Sequence, residues 1–119
     1  VIALEQELDG LLKTDFQFNR LRGCSVAFGL LAVRRFLEAN DLLCIIRAHA
    51  VQEDGYYRHF EKALGPGLPP VITVFSAPNY CDRYGNRAAV LQLERDALEP
   101  SVMHFECVDH PDRMARPDR

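Results

Sequence analysis

The sequence predicts an α/β fold in which one amphipathic helix precedes several short strands of a mixed sheet. Three stretches support this prediction. Residues 28–39 carry apolar side chains at helical spacing, residues 42–46 are continuously apolar, and residues 71–75 are rich in β-branched side chains. The first pattern is typical of a surface helix, and the other two are typical of buried strands.

The helix predicted over residues 28–39 has an apolar face and a charged face. The side chains predicted to share the apolar face are Leu30, Val33, Phe36 and Leu37. Arg34, Arg35 and Glu38 lie between them and are predicted to face water, and Asn40 is predicted to cap the C-terminus. A shorter helix is predicted over residues 4–11, because Leu4, Leu8 and Leu11 fall on one face.

Four strands are predicted, over residues 42–47, 71–75, 88–93 and 102–107. The first of them is expected to be covered on both faces because its apolar run is unbroken. Residues 16–25 and 76–86 are interpreted as loops, the second because Pro78, Asn79, Gly85 and Asn86 interrupt it. The predicted divisions are an N-terminal helical segment (1–15), the main domain (16–108) and a polar tail (109–119).

The composition excludes several classes of function. The net charge of −3 over 119 residues gives no basic patch for nucleic acid. No apolar stretch is long enough for a membrane span, and no leader is recognisable. The four cysteines are widely spaced and suggest reduced thiols rather than a zinc site, so a cytoplasmic location is predicted. The first residue is Val1 rather than Met, so the chain is expected to be a fragment.

A few residues have chemistry suited to a site at the ends of these strands. His49 follows an apolar strand, where an imidazole can bind a metal, although an ordinary core or surface histidine is the more frequent alternative. Arg22 precedes Gly23 in a loop and could bind phosphate, although on its own an ordinary surface arginine is by far the more frequent alternative. The loop at residues 76–81 combines a proline, an asparagine and Tyr80 after a buried strand, which suits either a functional loop or a plain turn.

Taken in order, these pieces resemble one enzyme family. The matching motifs are RGCS at 22–25, IIRAH at 45–49, EDGY at 53–56, VITVFSAPNYCD at 71–82 and GNRAAVL at 85–91. Together they resemble the C-terminal half of the serine/threonine phosphoprotein phosphatases. Within this family, the spacing of residues 55–70 and the ending FECVDHP at 105–111 are most similar to the calcineurin catalytic subunit, whereas Cys81 is similar to the type 1, 2A and 5 enzymes.

The resemblance implies a fold, a reaction and a set of roles. The fold is the C-terminal half of a four-layer α/β/β/α metallophosphatase sandwich with a mixed sheet. The reaction is hydrolysis of phosphoserine and phosphothreonine by water activated on two divalent metals, Fe/Zn or Mn. His49 matches a ligand of the second metal, Arg22 matches a phosphate-binding arginine, and Tyr80 lies in the loop that borders the active site.

The sequence also departs from the family pattern. The motifs Asp-x-His, Gly-Asp-x-Val-Asp-Arg-Gly and Gly-Asn-His-Glu, which supply most metal ligands, are absent from these 119 residues, and Ala50 stands where the family usually has Glu or Gln. With one matched ligand, this chain alone is expected to bind metal weakly and to be inactive. It is interpreted either as part of a phosphatase, as a catalytically dead interaction or assembly subunit, or as a phosphate-binding module.

Partners follow from the same resemblance. A phosphoprotein substrate is expected if an N-terminal half completes the enzyme. In the family, short linear motifs bind by strand addition, and the corresponding strand here contains Ser101, Val102 and Met103. A regulatory or scaffold protein is therefore a possible partner at that edge, unless the missing half or the tail covers it.

Overall fold

The computed structural model describes residues 15–20 and 22–109. The predictions for residues 4–11 and most of the tail lie outside these ranges, and the predicted domain limits stay predictions. In the described part, the strands are β1 (Phe16–Phe18), β2 (Val26–Phe28), β3 (Ile45–Arg47), β4 (Tyr56–His59), β5 (Val71–Val74), β6 (Ala88–Gln92) and β7 (Ser101–Phe105). The helices are α1 (Leu30–Asn40) and α2 (Glu61–Leu64), with a 3₁₀ turn at Tyr80–Asp82.

The strands form one three-stranded sheet and two hairpins. In the three-stranded sheet the order is β3-β5-β4, with β3 parallel and β4 antiparallel to the central strand β5. β1 pairs with β2, and β6 pairs with β7, each antiparallel. The predicted α/β fold with a mixed sheet is confirmed, since the central strand has one parallel and one antiparallel neighbour.

The main apolar cluster lies between α1 and one face of the three-stranded sheet. Its buried members are Leu30, Val33, Leu37, Phe60 and Val71, with the partly buried Phe28 and Ile45 packed against them. The three α1 residues recur at helical spacing, which places them on one face of the helix. This packing fixes α1 across β3 and β5.

Two details of the predicted helix are wrong. The helix ends at Asn40, but the capping residue is Asp41, which takes the left-handed conformation (φ 52°) and donates its N–H to the Glu38 carbonyl. The Asn40 side chain instead donates to the Phe36 carbonyl. Phe36 itself is 51% exposed and lies outside the buried face of α1, which is formed by Leu30, Val33 and Leu37.

Residues 16–25 were predicted as a loop and Phe28 as the start of the helix, and both predictions are wrong where β1 and β2 form. Residues 16–18 and 26–28 pair as a hairpin, with Phe16 opposite Phe28 and Phe18 opposite Val26. Each strand has only three residues, so the alternation is too short to be recognised as a strand pattern.

The first strand of the sheet is shorter and more exposed than predicted. β3 begins at Ile45, while Leu43 is 73% exposed and Ile46 is 43% exposed. β3 pairs only with β5, so among the described residues it is an edge strand rather than one covered on both faces. β4 was not predicted at all, because Arg58 and His59 interrupt its apolar pattern. The other three strands agree with prediction to within two residues at each end.

Gly55 joins the β6–β7 hairpin to the end of β5. Its carbonyl accepts from the Phe75 N–H, and the Ala89 N–H donates to the Phe75 carbonyl. A Cβ at Gly55 would lie 2.4 Å from the Ala88 carbonyl carbon, and φ is +75°, so glycine is required here. His104 Nδ1 donates to the Asp54 carbonyl at 2.9 Å, which ties β7 to the same turn. No helix in the described ranges is long and apolar enough to cross a membrane.

Candidate functional site at the carboxyl ends of β3 and β5

Because β3 and β5 are parallel, the chain leaves both strands at the same end of the sheet, and this end is the edge described below. Arg47 lies opposite Thr73 in the register, so both strands end at the same level. His49 follows β3, and the loop that carries Tyr80 follows β5. Ligands of open α/β sheets commonly bind at this kind of edge.

Arg22 is presented by the tight turn between β1 and β2. The buried side chain of Asn19, which is 2% exposed, accepts a hydrogen bond from the Arg22 N–H at 3.2 Å. The Asn19 N–H donates to the Ser25 carbonyl at 3.1 Å and closes the turn. Gly23 and Ser25 both have positive φ, as a turn this tight requires. These two hydrogen bonds hold the backbone of Arg22, whose side chain is exposed.

The structure brings Arg22 and His49 together, although they are 27 residues apart in the chain. Arg22 Nη2 donates to the His49 carbonyl oxygen at 3.4 Å. His49 has φ 72°, an unusual value for a residue with a side chain. Such backbone strain is concentrated at functional sites in proteins. This contact places the two residues at the same end of the sheet, while their chemical roles stay predictions.

A buried polar network crosses the sheet at the level of Arg47, two residues before His49. Thr73, on β5, is fully buried, and its Oγ1 accepts a hydrogen bond from Arg47 Nη1 at 3.2 Å. The same oxygen lies 2.8 Å from His59 Nε2. Burial, and then the charge of Arg47, lower the pKa of His59 to about 4, so this imidazole is neutral at pH 7. The network thus links all three strands of the sheet.

The charge of this edge is positive. Burial, and then the neighbouring charge of Arg22, lower the pKa of Arg47. The ion pairs in the described ranges involve Arg35, Arg58 and Arg87, and neither Arg22 nor Arg47 pairs with a carboxylate there. Two neighbouring arginines that pair with no carboxylate of the described residues are suited to an anion.

The loop after β5 is built by two asparagines. The side chain of Asn86, 5% exposed, accepts from the Tyr80 N–H and donates to the carbonyls of Ala77 and Arg87. Asn79 Oδ1 accepts from the Gly85 N–H at 3.1 Å. These bonds hold Tyr80 at 44% exposure, with its ring edge-on to Phe75 at 5.3 Å between centroids. Among the described residues, no hydrogen bond or ring contact joins Tyr80 to Arg22 or His49.

The predicted docking strand lies on the β6–β7 hairpin rather than on the three-stranded sheet. Ser101, Val102 and Met103 pair with β6 on one side. In the part of the chain that the structure describes, β7 has no strand on its other side, and Met103 is 56% exposed. Strand addition at this edge stays a prediction.

The described residues do not fit a two-metal centre by themselves. Within those ranges there is no group of three or more histidine, cysteine, aspartate or glutamate side chains that could hold a metal ion. Since a catalytic metal needs about three protein ligands, no step of a metal-dependent reaction is assigned to these residues alone.

Comparisons with known proteins place the chain in a family. It is 47% identical over 97 residues to the serine/threonine-protein phosphatase 2B catalytic subunit A1 of Saccharomyces cerevisiae, a match that covers 82% of this chain. It is 44% identical over 90 residues to human serine/threonine-protein phosphatase 5, covering 76% of this chain. This chain belongs to the serine/threonine protein phosphatase family. No family model matches it.

A solved phosphatase structure agrees with this family assignment. A protein serine/threonine phosphatase from Saccharomyces cerevisiae, with similarity to human phosphatase PP5, superposes with a TM-score of 0.65 and 32% identity. The superposition covers 85% of this chain and 32% of that one. The chain spans only 17% of the length of the 2B subunit and of human phosphatase 5. Type 2B relatives at 43–47% identity and type 5 relatives at 40–44% overlap, so the calcineurin subfamily stays a prediction.

Sequence reasoning missed several residues that shape this edge. Asn19 and Asn86 were assigned to loops, but both are buried and organise the turns that carry Arg22 and Tyr80. For Asn86 the available signal was the neighbouring Gly85, whereas Asn19 has no glycine beside it. Arg47 was regarded only as the end of a strand, and nothing in its local sequence distinguishes it.

Proposed function

We propose that this chain is part of a metal-dependent protein serine/threonine phosphatase, to whose active site it contributes Arg22 and His49. The observation that supports this proposal best is the contact between the Arg22 guanidinium and the His49 carbonyl at the edge of the sheet. The family to which the chain belongs acts on phosphoproteins, so the proposed substrate is a phosphoserine or phosphothreonine protein.

The roles of the residues follow from their chemistry. Arg22 presents a planar fork of N–H donors that suits bidentate phosphate binding. His49 offers an imidazole that would serve as one ligand of a divalent metal. Bound metals would lower the pKa of water and so provide the attacking hydroxide. Tyr80 borders the substrate cleft on its asparagine-supported loop. The remaining ligands would come from other segments of a complete phosphatase.

A chimera tests this proposal. Residues 16–108 of this chain replace the matching segment of the yeast 2B catalytic subunit A1, and hydrolysis of a phosphoserine peptide is measured with added Mn²⁺. We expect turnover in the chimera and a loss of at least about a hundredfold in kcat in its His49→Ala variant, because removing a ligand leaves an incomplete metal site. The isolated 119-residue chain serves as the inactive control.

A folded but inactive chimera would instead favour a catalytically dead subunit derived from a phosphatase. One feature of the chain favours that second candidate. Ala50, directly after His49, is 8% exposed, and its methyl group offers no hydrogen bond at a position where the resemblance predicts Glu or Gln. The variant Ala50→Glu of the chimera separates the two cases. Activity should return if only the side-chain contact at residue 50 is missing, and it should stay absent if the active site itself is lost.

We also propose that the outer edge of β7 binds an extended peptide of a regulatory or scaffold protein at Ser101, Val102 and Met103. Its support is the unpaired edge and the exposed Met103 side chain. Hydrogen exchange at these amides is expected to slow when a docking peptide is added. Because successive N–H groups of a strand point to opposite sides, the slowing is expected at alternate amides; a proline at whichever of Val102 and Met103 is protected by the peptide removes that donor and should abolish the protection. Equal exchange with and without every candidate peptide argues against a docking edge.

A further inference from the structure

Arg47 is a charged residue of this edge to which the family resemblance gives no role. It is half-buried near the end of β3, two residues before His49. A guanidinium has five N–H donors. Within the described ranges, that of Arg47 makes one hydrogen bond, to Thr73 Oγ1. Most of its donors are therefore left for another acceptor.

Arg22 is in the same situation. Its guanidinium donates to the His49 carbonyl and makes no other hydrogen bond to the described residues. Because Arg22 donates to the carbonyl of His49 and Arg47 ends the strand two residues before His49, both arginines lie at the same end of β3, and neither has a carboxylate partner among the described residues. Bringing like charges together and partly out of water opposes folding, unless an anion neutralises them.

Hydrogen bonds within the sheet fix the position of the Arg47 guanidinium. Thr73 is fully buried and holds the guanidinium from one side, while the same hydroxyl is held by His59 on β4. Because His59 is neutral, this support adds no further positive charge. A rigidly held arginine with spare donors costs little entropy when it binds a ligand.

We propose that Arg22 and Arg47 bind one tetrahedral dianion between them, namely the phosphoryl group of the substrate. This inference rests on the proposed phosphatase function and adds a second arginine to it. Arg47 then acts as a phosphate-contacting residue, and Thr73 and His59 act as positioning residues that hold it.

The test is a titration of the full 119-residue chain with inorganic phosphate, followed by the amide shifts of residues 45–49 in ¹⁵N-HSQC spectra. We expect saturable binding that weakens with added salt. Arg47→Gln and Arg22→Gln should each weaken binding about tenfold, since each removes charge-assisted hydrogen bonds. Arg87→Gln is the matched control, because Arg87 already faces the carboxylates of Asp54 and Glu106, and it should change binding less than about twofold.

The outcomes are separable. Phosphate binding that is unchanged in Arg47→Gln but lost in Arg22→Gln overturns the two-arginine site and leaves the proposed phosphatase function intact. No saturable shift in the wild-type chain overturns the site as well. The chimera's turnover tests the phosphatase function separately.

A second variant and the melting temperature show whether the Arg47→Gln chain is still folded. Arg47→Gln removes a half-buried like charge, so its Tm should equal or exceed that of the wild type. If Arg47→Gln unfolds, Arg47→Lys decides the question, because it keeps the charge but loses the planar fork. A folded Arg47→Lys chain with phosphate affinity lowered about threefold or more supports direct contact, whereas unchanged affinity overturns it.

Discussion

One face of the three-stranded sheet changes character from one end to the other. At the start of the parallel strands, Ile45 and Val71 lie opposite each other and join the apolar cluster under α1. Two residues further along, on the same face, Arg47 and Thr73 lie opposite each other and form a polar network. Alternation along a strand keeps both pairs on one face, so the contrast comes from the side chains alone.

Within a few residues, this face of the sheet passes from side chains that stabilise the fold to side chains suited to a binding site. The apolar end removes hydrocarbon from water and stabilises the fold. The polar end desolvates a guanidinium and an imidazole and places two arginines near each other, all of which oppose folding. An arrangement of this kind is typical of an active site, where local stability is reduced in favour of chemistry.

The largest effect is expected at the apolar end. Leu30→Ala should lower the free energy of unfolding by about 2–5 kcal/mol, because Leu30 is 2% exposed and its removal leaves a cavity under α1. Urea denaturation followed by circular dichroism measures this change. Leu43→Ala is the matched control, since Leu43 is 73% exposed, and it should change stability by less than about 0.5 kcal/mol. Equal effects of the two variants would show that the cluster under α1 is not the core.

A smaller, pH-dependent effect is expected at the polar end. His59 has a pKa of about 4 in the folded chain, below the ordinary value of 6.5. The unfolded chain therefore binds the proton first as pH falls. The contribution of His59 is fully present above pH 6.5 and is lost between pH 6.5 and 4, by at most about 3 kcal/mol.

Denaturation curves at several pH values test this expectation against a His59→Gln variant. The variant keeps a polar group near Thr73 but cannot titrate, so its stability should fall less steeply over that window. Parallel curves for the two chains would show that His59 is not held neutral by burial.

The sequence predicted the parts of the fold that long patterns encode. The α1 face with Leu30, Val33 and Leu37 and the β-branched strand β5 were both recognisable, because apolar periodicity over many residues reflects burial directly. The three-residue strands β1 and β2 were not, since their pairing depends on a tight turn around Gly23 and on partners distant in the chain.

The candidate site was predicted through resemblance rather than through local pattern. Arg22 and His49 were found because the RGCS and IIRAH motifs match the family. Arg47 was missed, because the importance proposed for it arises from the register of β3 on β5 and from the proximity of Arg22, which lies 25 residues earlier in the chain. Such proximity is a tertiary property that residue spacing does not encode.

The most direct test of the account is the metal content of the chimera with the yeast 2B subunit, measured after gel filtration by inductively coupled plasma mass spectrometry. If His49 is a ligand at the edge described here, the chimera should hold about two divalent metals per chain, and its folded His49→Ala variant should hold about one or fewer. His104→Ala is the control, because His104 lies on β7 and its side chain donates to the Asp54 carbonyl rather than to Arg22 or His49, and it should leave the metal content unchanged. Equal metal content in the His49→Ala variant and the parent chimera would contradict the assignment of this edge as the active site.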